Sequence, residues 1–132
     1  MKLGGMDEKL FPAYWEDLDL CYRALKRGFR LIWEPSAKVV HEHETTYSKM
    51  PKKYFQKMKE RNQLLLIWKN LTSSSLFRKH LVGLVRRILK GPGYIRIVFM
   101  ALGKLKDVIR LRNKEIKETW VSDEAIFASF TK

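Results

Sequence analysis

The sequence has a single cysteine, Cys21, in 132 residues. A lone thiol excludes an intramolecular disulfide framework and any multi-cysteine zinc site. Long apolar runs are also missing. Around the apolar peak, the stretch without a charged residue is only Ile97–Gly103, whereas crossing a bilayer takes roughly 20 apolar residues. The opening Met1-Lys2-Leu3-Gly4-Gly5 lacks the apolar segment of a secretory signal. With the free thiol, this sets the expectation of a cytoplasmic protein. There is no internal repeat and no low-complexity tract. Hydrophobic residues make up 45% of the chain, too many for intrinsic disorder. The length suits one small domain with a modest core.

Acid is scarce too, but only in part of the chain. The formal net charge is +13, from 27 Lys+Arg against 14 Asp+Glu. Residues 1–50 hold 8 basic and 8 acidic side chains, whereas residues 51–132 hold 19 and 6. The whole surplus therefore lies in the second part. Two regions follow: a neutral one over 1–50 and a basic one over 51–132.

The spacing predicts a helix over Glu16–Arg27. Leu18, Cys21, Tyr22 and Leu25 form one apolar face. Glu16, Asp17 and Asp19 crowd the first turn and Arg23, Lys26 and Arg27 the last, which suits the helix dipole, and Gly28 is a stop. Phe29–Trp33 and Ala37–His41 read as short strands, the first ended by Pro35. Beyond Pro51, helices are predicted over Lys52–Leu71, Leu76–Lys90 and Tyr94–Arg112, with a short one at Asp123–Phe130. Ser75 offers an N-cap, and Gly91-Pro92-Gly93 breaks the chain.

The chemistry is densest between Gly4 and His43. Gly4-Gly5-Met6-Asp7-Glu8 is followed by Phe11, Tyr14 and Glu16-Asp17-Leu18-Asp19-Leu20-Cys21, then Arg23, Gly28, Pro35, Ala37, Val39 and His41. Carboxylates at a loop–helix junction can act as a general base, and carboxylates with imidazole can bind a divalent cation. From the residues alone, Asp17 and Asp19 read as ordinary N-terminal helix acids, with Asp19 placed to pair with Arg23 at i+4. Tyr14 and Trp15 either stack on a sugar or pack in the core. Cys21 reads as a small buried hydrophobe.

In this order and spacing, residues 3–45 resemble the C-terminal half of the catalytic domain of family 2 glycosyltransferases, particularly the bacterial rhamnosyltransferase-like members. Met6 stands where Phe is common. The likeness continues through Arg61-Asn62 and Lys69-Asn70. The resemblance implies a partial GT-A-type, Rossmann-like α/β fold with short strands, followed by amphipathic helices. It implies inverting sugar transfer from a nucleotide-diphosphate donor to a glycan or lipid-linked acceptor. Asp17 takes the general-base role, with Glu16 beside it. Asp7, Glu8 and Trp15 fall on the substrate side, and His41, or His43 in its place, is a metal or diphosphate contact. An Mg²⁺ or Mn²⁺ ion is expected on the diphosphate.

The family's other half, with its nucleotide-binding strands and Asp-x-Asp motif, is not matched here. Asp17-Leu18-Asp19 has that spacing but belongs to the helix motif. The expectation is therefore a truncated piece that neither binds a nucleotide sugar tightly nor turns over alone. Residues 51–112 hold 16 basic and 2 acidic residues. Amphipathic helices of that kind lie on anionic membranes, which sets the expectation of a peripheral protein at the inner face of the cell membrane. Nucleic acid fits less well, because the aromatics sit on the apolar stripes rather than among the basic residues. The competing functional class is a non-enzymatic basic module for membrane or nucleic acid.

Overall fold

The computed structural model describes residues 3–38, 40 and 51–131. Their order is α1 (Glu16–Lys26), α2 (Lys52–Asn70), α3 (Ser74–Lys90), a 3₁₀ turn (Pro92–Tyr94), α4 (Ile95–Leu102), α5 (Leu105–Glu118) and α6 (Asp123–Ser129). No strand occurs among the described residues, so the expected α/β fold with short strands is corrected to an all-helical one. The reason lies in what a strand needs. Phe29–Trp33 has no second strand to pair with among the described residues, and an isolated extended segment has no ladder to stabilise it. Ile32 and Trp33 are accordingly 84% and 85% exposed. His41 and His43, and part of the second expected strand, lie outside the described residues.

α2 is the central element because its sequence is apolar over Leu64–Trp68, and Leu64, Leu65, Leu66 and Trp68 are all buried. It packs against α1, α4 and α5. The core joins these residues to Leu10, Phe11, Ile97, Val98, Ala101 and Val108. Burying one such Leu contributes roughly 1.5–3 kcal/mol.

α1 ends as the sequence anticipates. Gly28 adopts φ 79°. Its N–H donates to Leu25 O at 3.0 Å, and Phe29 N–H donates to Ala24 O at 3.1 Å, the paired bonds of a Schellman cap. The cap of α3 falls on Ser73 rather than Ser75: Leu76 N–H donates to Ser73 Oγ at 3.3 Å. The helix expected over Tyr94–Arg112 is divided at Gly103-Lys104 into α4 and α5.

Buried pairs cross the boundary between the neutral and basic regions. Lys26 Nζ lies 3.0 Å from Asp123 and donates to Asn70 O and Thr72 Oγ1 at 2.7 and 2.6 Å. Arg27 donates to Glu115 through both Nη atoms, at 2.7 and 3.1 Å, and also to Glu118. α1 is thereby fastened to the end of α2, the segment before α3, the start of α6, and α5. No helix of the described residues is long and apolar enough to cross a membrane.

A carboxylate turn at the start of α1

The chain enters α1 through an unusual turn. Tyr14 and Trp15 both lie in the left-handed region, at φ 60° and 77°. Neither is glycine, so each costs of order 1–3 kcal/mol unless its surroundings hold it there. α2 supplies that hold. The fully buried Asn62 donates its side-chain amide to Ala13 O at 2.6 Å. Arg61 in turn donates to Asn62 Oδ1 from Nε and Nη2, at 3.1 and 2.8 Å. Trp15 Nε1 donates to Lys59 O at 2.9 Å. The Tyr14 ring meets Phe55 edge-on at 5.2 Å and lies 3.9 Å from Lys59 Nζ.

Directly after this turn come Glu16 and Asp17. Asp17 is exposed on the first turn of α1, where its Oδ1 accepts from Leu18 N–H at 2.7 Å. The helix N-terminus favours negative charge there. Glu16 is half-buried, and its Oε2 is buried with no hydrogen-bond partner among the described residues. An orphaned carboxylate oxygen is costly unless something satisfies it.

Asp19 differs sharply from Asp17, two positions away. It is fully buried and accepts from Arg23 Nε at 2.8 Å, Lys69 Nζ at 2.9 Å and Asn70 Nδ2 at 2.7 Å. The i+4 pair with Arg23 is as the spacing implied. Lys69 also reaches Asp7 at 3.1 Å. Asp7 organises its own loop as well, accepting Leu10 N–H through Oδ1 at 3.2 Å. Arg23 closes the loop over α1 by donating to Leu3 O and Gly5 O at 2.5 and 2.6 Å. Gly4 and Gly5, at φ 80° and 74°, allow that approach.

The substrate-side residues of the sequence reading therefore separate. Asp7 and Glu8 line a groove of about 360 Å³ with Gly5, Arg23, Lys69 and Glu115. Glu16, Asp17 and Trp15 stand on the strained turn and are not among the lining of that groove. Trp15 is half-buried, with its indole N–H already engaged. Among the described residues no group of three or more His, Cys, Asp or Glu is arranged to hold a metal ion. Asp7 and Asp19 already bind cations of the chain itself, so these residues do not fit a metal cage. Cys21 is half-buried at an apolar cavity of about 470 Å³, not sealed in the core.

Sequence reasoning underrated α2. Arg61-Asn62 and Lys69-Asn70 carry no role in the motif reading, yet Asn62 pins the turn and Lys69-Asn70 hold Asp19. The available signal was the pair of asparagines, Asn62 and Asn70, that flank the apolar run Leu64–Trp68.

A stretch of 43 residues is 46% identical to the pre-mycofactocin glycosyltransferase of Mycobacterium tuberculosis, in both strain CDC 1551 / Oshkosh and strain H37Rv. The match covers 33% of this chain and 9% of the length of each relative. No family model matches the chain, and no solved structure matches it. Part of the chain is thus similar to a glycosyltransferase.

Proposed function

We propose that this chain carries the catalytic-base segment of an inverting family 2 glycosyltransferase, with Asp17 as the base. The observation that carries the reading is the turn over Ala13–Trp15. Two strained residues, clamped by Asn62 and Lys59, present one exposed and one incompletely satisfied carboxylate side by side. Strain of this kind concentrates at functional sites. The similarity to a named glycosyltransferase supports the same class of chemistry.

In that reaction the acceptor hydroxyl attacks the anomeric carbon from the face opposite the diphosphate. The new C–O bond forms as the bond to the diphosphate oxygen breaks, and the hydroxyl proton passes to the Asp17 carboxylate. General-base assistance of this kind contributes about 10²–10⁴-fold. Glu16 stands beside Asp17 as the second acid of the pair. Asp7 and Glu8, on the groove beside Lys69, accept hydrogen bonds from a glycan or lipid-linked acceptor.

The test is transfer of labelled sugar from a panel of uridine and thymidine diphosphate sugars to such acceptors. It uses a polypeptide in which this segment follows a nucleotide-binding half. Transfer with inverted anomeric configuration is expected. Retention of configuration, or hydrolysis with no transfer, contradicts the reading.

A further inference from the structure

From Arg61 to Lys106 the sequence contains no Asp or Glu, but ten Lys and Arg. α3 lies within this stretch, and none of its residues is fully buried. Its inner face is settled by contacts. Phe77, Leu84 and Ile88 pack against the core. His80 accepts from Trp68 Nε1 at 3.0 Å, and Arg87 turns toward Glu60 at 3.5 Å and the Tyr94 ring at 4.0 Å.

One outer flank is unusual for a helix side turned to water. At 3.6 residues per turn, Arg78, Val82, Val85, Arg86 and Leu89 fall on one stripe centred roughly 120° around the helix from Phe77, Leu84 and Ile88. Val82, Val85 and Leu89 are 51%, 55% and 75% exposed. Arg78, Lys79, Val82, Gly83 and Arg86 also line one open groove. Arg78, Lys79, Arg86 and Lys90 form no ion pair with any described residue. The helix thus has a narrow apolar strip on its outer side, flanked by unpaired positive charge, with no acid near it in sequence.

We propose that this outer face of α3 docks on an anionic lipid bilayer. Aliphatic residues flanked by Arg and Lys on an otherwise water-facing helix are the pattern of interfacial binding: the strip enters the headgroup boundary and the cations meet lipid phosphates. The charge complementarity selects this occupant over others. A second copy of the same face would oppose like charge. Nucleic acid would draw on the cations but leave Val82, Val85 and Leu89 without partners, and the stripe has no aromatic ring for base stacking. Docking by this strip is peripheral, at the headgroup boundary. The inference does not depend on the sugar-transfer reading.

Vesicle flotation of the whole chain tests it, with phosphatidylcholine alone and with phosphatidylglycerol added. Three triple variants are compared: Arg78→Ser/Lys79→Ser/Arg86→Ser, Val82→Ser/Val85→Ser/Leu89→Ser, and Lys52→Ser/Lys53→Ser/Lys57→Ser on the exposed start of α2. Every position is exposed, and circular dichroism checks that each variant stays helical. Binding is expected only with the anionic vesicles and is expected to weaken with salt. Each α3 charge lost lowers partitioning about five-fold. The apolar triple lowers it about ten-fold or more, since it removes three buried side chains at the interface. The α2 triple, equal in charge but on a different helix from the proposed docking strip, is expected to change it by less than about three-fold. Equal binding to neutral vesicles, no binding to either, or a loss as large in the α2 triple overturns the proposal. So does duplex DNA binding that survives the apolar triple while vesicle binding is absent.

Discussion

The side-chain amide of Asn62 donates to the main-chain carbonyl of Ala13 at 2.6 Å. That bond links the centre of the longest helix to the two left-handed residues that carry Glu16 and Asp17. Removing it leaves a buried carbonyl unpartnered and frees the turn. Asn62→Ala is therefore expected to destabilise the protein by about 1–3 kcal/mol. Chemical denaturation with an unchanged slope would report it. No loss of stability would mean that the turn holds itself.

Asp17 and Asp19 are expected to part in the same measurement. Asp19→Ala leaves Arg23 and Lys69 buried with a lost partner, and breaking buried pairs of this kind costs about 3–5 kcal/mol. Asp17→Asn removes an exposed carboxylate near a helix start, worth about 0.3–1 kcal/mol. Thermal unfolding of the two variants separates a structural acid from one free for chemistry. Equal destabilisation would contradict the division of roles.

Arg27 meets Glu115 with two bonds and Glu118 with further ones. A lysine cannot reproduce a planar fork. Arg27→Lys is expected to lower stability by more than about 1 kcal/mol although charge is kept. A neutral effect on the urea midpoint would show that charge alone suffices there.

Asp123 supplies a pH dependence. Burial opposes its charged form, but bonds from Ser73 N–H, Tyr22 and Lys26 outweigh that and hold the carboxyl below its ordinary range. A carboxyl depressed in the folded state binds fewer protons folded than unfolded. Its stabilisation is therefore full above the unfolded value and is lost as pH falls through the folded one. Stability is expected to hold at neutral pH and to fall below about pH 4. Asp123→Asn should lower stability at neutral pH and flatten that acid limb. An acid limb of unchanged slope in this variant would assign it to other carboxyls.

The helices were legible in the sequence because each rests on local spacing. α1 was expected over Glu16–Arg27 and spans Glu16–Lys26, and α2 was expected over Lys52–Leu71 and spans Lys52–Asn70. Failures came where distant partners decide. Phe29–Trp33 has strand composition, but a strand is a property of a pair of segments, and no described residue supplies the second. The α3 cap moved to Ser73 because Asp123, fifty residues away, binds Ser73 N–H at 2.5 Å. Asp17, Glu16 and Asp7 could be named from motif spacing, but the clamp on Ala13 and the left-handed Tyr14 and Trp15 could not. The basic surplus was also read too simply. Lys69, within the basic region, is buried and paired with Asp19, while Asp123, Glu115 and Glu118 of that region are paired with Lys26 and Arg27 of the neutral one, so the sequence tally alone does not locate the displayed charge.

In the proposed reaction the strained turn presents Asp17 to an acceptor hydroxyl. The most direct measurement of that role is the rate of sugar transfer by Asp17→Asn, in a polypeptide that joins this segment to a nucleotide-binding half, with stability followed alongside. Transfer is expected to fall by about 10²–10⁴-fold while the folded state is nearly unchanged. Near-normal transfer by a folded Asp17→Asn variant would contradict it.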